Sequence, residues 1–88
     1  MREVTRIKNM EPISERPDIE AAVFSVKPSY CGFDYLRISA ATPSNRRYPE
    51  TFAFGCDSDG EVLDWRELPC SVTGVHDIEM IATKVRNS

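Results

Sequence analysis

Residues 51–68, TFAFGCDSDGEVLDWREL, read as two short strands joined by a tight acidic turn, with the rest of the 88-residue chain arranged around them. In the first arm Phe52, Phe54 and Cys56 alternate with Thr51, Ala53 and Gly55. A period of two places both aromatic rings on one face of a pleated strand, and that face is expected to be core. Asp57, Ser58, Asp59 and Gly60 follow. Asp side chains accept hydrogen bonds from nearby backbone N–H groups and glycine takes a positive φ without steric cost, so the chain reverses there. In the returning arm Leu63 and Trp65 share one face, and Val62 and Asp64 take the other. A lone hairpin is marginal in water, so at least one more strand and a helix must cover its aromatic face.

Upstream, FDYLRISAA (Phe33–Ala41) is the next strand, with Leu36, Ile38 and Ala40 on one side and Phe33, Tyr35 and Arg37 on the other. Apolar residues on both sides mark a central or doubly covered strand. Residues 42–49, TPSNRRYP, form a loop by composition, so strand follows strand in an antiparallel meander. Residues 18–27 fit two periods. Ala22, Phe24 and Val26 alternate as in a strand, Ile19, Ala22 and Val23 sit at helical spacing, and the β-branched and aromatic content favours a strand over 22–27. Pro28, Ser29 and Gly32 mark a turn. Residues 1–20 are charged and interrupted by Pro12 and Pro17. Val4, Ile7 and Met10 edge a strand or form a helical turn there, in a loosely packed extension of a core at 33–85 within one domain.

After the hairpin Pro69 ends strand pairing for want of an N–H. Thr73 is read as the N-cap of a helix of about three turns, with Asp77 and Glu79 near its positive end and Lys84 and Arg86 near its negative end. Ile78, Ile81, Ala82 and Val85 make one apolar stripe, expected to pack on Phe52, Phe54 and either Leu63 or Trp65. The fold class is α+β: a small antiparallel sheet of about three to five strands against one C-terminal helix.

The run Glu50-Thr51-Phe52-Ala53-Phe54, then Asp57-Ser58-Asp59-Gly60-Glu61-Val62, then Trp65 and Glu67-Leu68, resembles a group of small proteins encoded by tailed bacteriophages and prophages. They share an E-T-x-x-F strand, a D-x-x-G-E-V turn, a W-x-E-L exit and a short closing helix. The resemblance is tightest over 49–68 and looser over 33–85. It implies a phage or mobile-element origin and transfers no catalytic residue.

At 88 residues the chain makes one domain with a thin core, burying about 60 to 65% of its unfolded surface. No apolar run approaches the roughly 18 residues of a membrane helix, and residues 1–6 lack the apolar centre of a signal peptide, so a cytoplasmic protein is expected. Cys31, Cys56 and Cys70 are odd in number and widely spaced, which fits reduced thiols, with Cys56 a small buried hydrophobe. The net charge of −3 conceals an asymmetry. Six carboxylates against Arg66 alone give residues 50–67 about −5, leaving the remainder about +2.

No residue set carries chemistry well. Cys31, Cys56, Cys70 and His76 lack the short paired spacing of a zinc site. Cys70, His76 and Asp77 name the parts of a thiol relay, but adjacent helical residues point about 100° apart. Asp57, Asp59 and Glu61 do not match a calcium loop, whose glycine comes sixth and whose glutamate comes twelfth. No cofactor, metal or catalytic residue is assigned. Arg46, Arg47 and Tyr48 form a basic loop with an aromatic beside it, yet an acidic chain without a basic stripe suits nucleic acid poorly, and a carboxylate or protein partner is preferred. The expected function is a non-enzymatic binding module. Its acidic face (Asp57, Asp59, Glu61, Asp64), with Arg46, Arg47 and Tyr48, would dock on a basic surface of a host or phage protein, as an anti-CRISPR-like inhibitor of a host enzyme or defence complex would. The alternative is a small homodimeric structural, assembly or regulatory protein.

Overall fold

The computed structural model describes residues 1–10, 19–41, 50–69 and 77–88. Its strands run in chain order β1 (Glu3–Met10), β2 (Ile19–Tyr30), β3 (Phe33–Ala41), β4 (Glu50–Cys56) and β5 (Val62–Asp64), followed by one helix, α1 (Ile78–Asn87). Each strand pairs antiparallel with the next, giving a five-stranded meander in the order β1-β2-β3-β4-β5. The α+β class, the meander and the closing helix are as the sequence implies.

The two periods in residues 18–27 resolve in favour of a strand longer than expected. β2 pairs along both edges, with Val4 opposite Val26 on one side and Leu36 opposite Phe24 on the other. Ala21, Ala22, Val23 and Phe24 are all buried, and a strand covered on both faces mimics helical spacing because its apolar residues do not alternate. Tyr30 and Phe33 then pair across Cys31 and Gly32, whose φ values of 51° and 85° are those of a two-residue hairpin turn with both central residues left-handed. β3 follows the expected alternation at Leu36 and Ile38, both fully buried on the face that meets the helix, whereas Phe33, expected on the opposite face, packs against the same core.

In β4 the expected faces are exchanged. Thr51, Ala53 and Gly55 are buried, while Phe52 and Phe54 are half-buried on the opposite side. The apolar stripe of α1, Ile78, Ile81, Ala82 and Val85, is buried as expected, but its partners are Val4, Ala22, Phe24, Val26, Leu36, Ile38, Ala53 and Leu68, with no phenylalanine of β4 and neither Leu63 nor Trp65 among them. The reason is steric. Small residues on β4 leave room for the helical layer, and the Phe33 ring lies where a side chain on Gly55 would stand. The Phe rings therefore turn to the other face, where Phe52 stacks on Phe54 with centroids 6.3 Å apart and Phe54 meets Trp65 edge-on at 5.4 Å.

The N-cap of α1 is Asp77, not Thr73, which lies outside the described residues. Asp77 has extended backbone angles (φ −141°, ψ 135°) and its carboxylate accepts from the Glu79 N–H, filling one of the vacant donors of the first turn. The far end of the helix is tied to β1. Arg2 N donates to Arg86 O at 2.8 Å, Arg86 Nη2 to Val4 O at 3.1 Å, and Arg2 Nη1 to Ser88 O at 2.6 Å. Near its start Glu79 forms an ion pair with Arg6, which also lies over the Phe24 ring. Within the extension expected over residues 1–20, Glu3–Met10 is thus an edge strand that grips both β2 and the helix.

The exchanged faces make a direct prediction for urea denaturation. Ile81→Ala, which empties the core, costs about 2–4 kcal/mol, and Phe54→Ala costs no more than about half of that because its ring is only half-buried. Equal costs would contradict the assignment of faces.

Candidate binding surface

The acidic turn is built by its own first residue. Asp57 Oδ1 accepts from the N–H groups of Asp59 and Glu61, both at 2.9 Å, while Asp57 N donates to Glu61 O and Gly60 N to Asp57 O, both at 3.0 Å. One carboxylate thereby closes the loop from inside.

This turn does not project from the sheet edge; it folds back over the face opposite α1. Gly60 is buried at φ +91°, and a Cβ there would stand 2.8 Å from Val23 Cγ2 and 2.9 Å from Met10 Sδ. Arg37 Nη1 donates to Gly60 O at 3.2 Å and Lys8 Nζ to Asp59 O at 3.3 Å. Residues from β1, β2 and β3 therefore hold the turn down.

The expected acidic residues divide by role. Asp57 is half-buried and committed to the turn, and Asp64 accepts from Arg66 N at 2.9 Å with one oxygen. Asp59 and Glu61 are exposed, and their carboxylates meet no cation among the described residues. Arg46, Arg47 and Tyr48 lie outside the described residues, as do Cys70 and His76.

Alternation alone gave no sign of the exposed aromatic beside this turn. β5 pairs with β4 at only two positions, Gly55 with Asp64 and Cys56 with Val62, across an irregularity. The chain returns to β4 where Leu68 N donates to Ala53 O at 2.9 Å. Between these anchors Trp65, Arg66 and Glu67 are all exposed, Trp65 by 73%, and Leu63 just before them by 63%. The sequence signal was the charge on both sides of the indole, Asp64 before it and Arg66-Glu67 after it, which suits a solvent-facing bend better than a core strand.

Cys56 is buried at the end of β4, as expected. Burial pushes its thiol up to about 11, the neighbouring Asp57 adding to the rise and Arg37 opposing it. Cys31 is an exposed free thiol at the β2–β3 turn. Among the described residues no group of three or more His, Cys, Asp or Glu side chains is placed to hold a metal ion. The chain matches no protein-family model, and comparison with curated proteins and with solved structures finds no significant match.

Three outcomes follow from this geometry. At about pH 8 a thiol-alkylating reagent modifies Cys31 in the folded protein and reaches Cys56 only on unfolding, as peptide-resolved mass spectrometry reports. Because the folded Cys56 holds its proton more tightly than the unfolded thiol, its contribution to stability is complete below about pH 9 and is lost as pH rises towards about 11. Gly60→Ala combines a left-handed φ with a clash against Val23 and Met10, and denaturation should show a loss of about 1–3 kcal/mol.

Proposed function

We propose that this chain is a non-enzymatic binding module whose acidic turn docks on a basic surface of another protein. The observation that carries the reading is the division of labour within the turn. Asp57 and Gly60 fasten the loop to the sheet while Asp59 and Glu61 stand exposed, with no cationic partner among the described residues. A fixed anionic face loses little entropy on association, speeds encounter with a positive partner and sets the docking register. The resemblance to small phage proteins supports the narrower reading, an inhibitor that occupies a basic surface of a host enzyme or defence complex.

The exposure of Leu63 and of Met80, 53% on the outer side of α1, favours one other arrangement, a homodimer joined through β5 or the helix. Light scattering on the eluting protein separates the two, since the 10.0 kDa chain either keeps its mass or doubles it.

Affinity capture from a bacterial lysate at low and moderate salt, followed by binding measurements on the purified partner, tests the docking reading. The double variant Asp59→Lys with Glu61→Lys keeps the fold, because neither carboxylate holds the turn, and weakens association about tenfold or more, most strongly at low salt. Unchanged affinity in that variant would rule out the acidic face as the contact.

A further inference from the structure

Apart from Met1, the large apolar side chains most open to solvent are Trp65 and Leu63, which lie two residues apart, whereas Ile7 and Met80 stand singly on β1 and α1. The indole continues into Phe54 and then Phe52, both half-buried, so one strip runs from the β5 edge of the sheet onto the face opposite α1. Apolar residues scattered singly are normal on a surface, but a continuous strip marks a contact.

The charges along this strip are of both signs. Asp64 and Arg66 flank Trp65, Glu67 follows them, and Arg37 stands cross-strand from Phe54 on the same face. Among the described residues the Arg66 guanidinium and the Glu67 carboxylate have no partner, and Asp64 uses one oxygen only, on Arg66 N. A uniformly basic partner would meet Arg66 and Arg37, and a uniformly acidic one would meet Asp64 and Glu67. A two-fold contact instead requires a patch complementary to itself, residue i against j and j against i. Opposite charges one residue to either side of Trp65 meet that requirement, because an axis passing beside the indole brings each Asp64 to the Arg66 of the second copy. The β1 edge does not meet it, since Arg6 and Lys8 flank the exposed Ile7 with like charge.

We propose that two copies of this chain join through residues 63–67 and the flanking rings of Phe52 and Phe54, with Trp65 against Trp65 beside a two-fold axis and Asp64 of each copy paired with Arg66 of the other. Burial of the aromatic strip supplies the affinity, while the exposed ion pairs, each worth little, fix the register. The inference rests on the homodimeric arrangement named above and assigns its contact to the β5 edge in place of the helix. Asp59 and Glu61 take no part in it.

Light scattering on the full-length protein is followed from about 10 μM to about 1 mM chain. The mass is expected to double from 10.0 kDa as concentration rises, and the emission of Trp65, the single tryptophan, to move to shorter wavelength in step. Trp65→Ser, at an exposed position, keeps the circular dichroism spectrum and weakens self-association at least about tenfold. Arg66→Glu and Asp64→Lys each set like charges together across the axis and weaken association as well. An equimolar mixture of those two variants recovers it, because in the mixed pair opposite charges meet on both sides of the axis. A single mass throughout removes the homodimer and this contact with it. Where the mass doubles, association unaffected by Trp65→Ser, or a mixture of the charge variants that associates no better than either alone, overturns this contact while the homodimer stands.

Discussion

One helix of ten residues cannot cover both sides of a five-stranded sheet, and the structure depends on how that shortage is met. α1 seals one face, burying Ile78, Ile81, Ala82 and Val85 against Phe24, Val26, Leu36 and Ile38. On the other face the chain uses its own β4–β5 connection as a cover. The turn lies down on Val23 and Met10, and Arg37 and Lys8 reach up to its carbonyls. In a domain this small, where little surface is available for burial, a loop that doubles as a second layer is an efficient use of few residues.

That arrangement explains the chemistry of the turn. A loop pressed on a sheet needs a residue without Cβ at the point of closest approach, which is Gly60, and an internal acceptor for its backbone N–H groups, which is the Asp57 carboxylate. Once those two positions are committed, Asp59 and Glu61 have no structural task and face water. The functional reading grows from this contrast between carboxylates that build the loop and carboxylates that the loop displays. The same cover leaves Phe52, Phe54 and Trp65 at its margin, so the aromatic strip and the acidic display belong to one side of the molecule.

The other edge of the sheet is handled differently. β1 would be an open row of backbone donors and acceptors, and its bulge between Arg6 and Lys8, its charged side chains and its contacts with the end of α1 all make it a poor template for further pairing. Among the described basic residues, Arg2, Arg6 and Arg86 supply this bracing.

The sequence by itself determined β3, the β4–β5 reversal and the closing helix, and left residues 1–20 open between a strand and a helical turn. Alternation located β3 to the residue, Asp57 and Gly60 announced the reversal, and the spacing of Ile78, Ile81, Ala82 and Val85 defined the buried side of the helix, because these are local preferences of backbone and side chain that need no distant partner. Only the tertiary structure decided which face of β4 meets the helix. Two rings on one side and Thr, Ala and Gly on the other make hydrophobicity alone favour the rings, but a helix packs closest over small residues, and the space above Gly55 is taken by Phe33 from another strand. The same long-range packing turned Trp65 from an expected core residue into the most exposed aromatic beside the acidic turn, and period two cannot register that, since it reports that faces differ and never which one is covered.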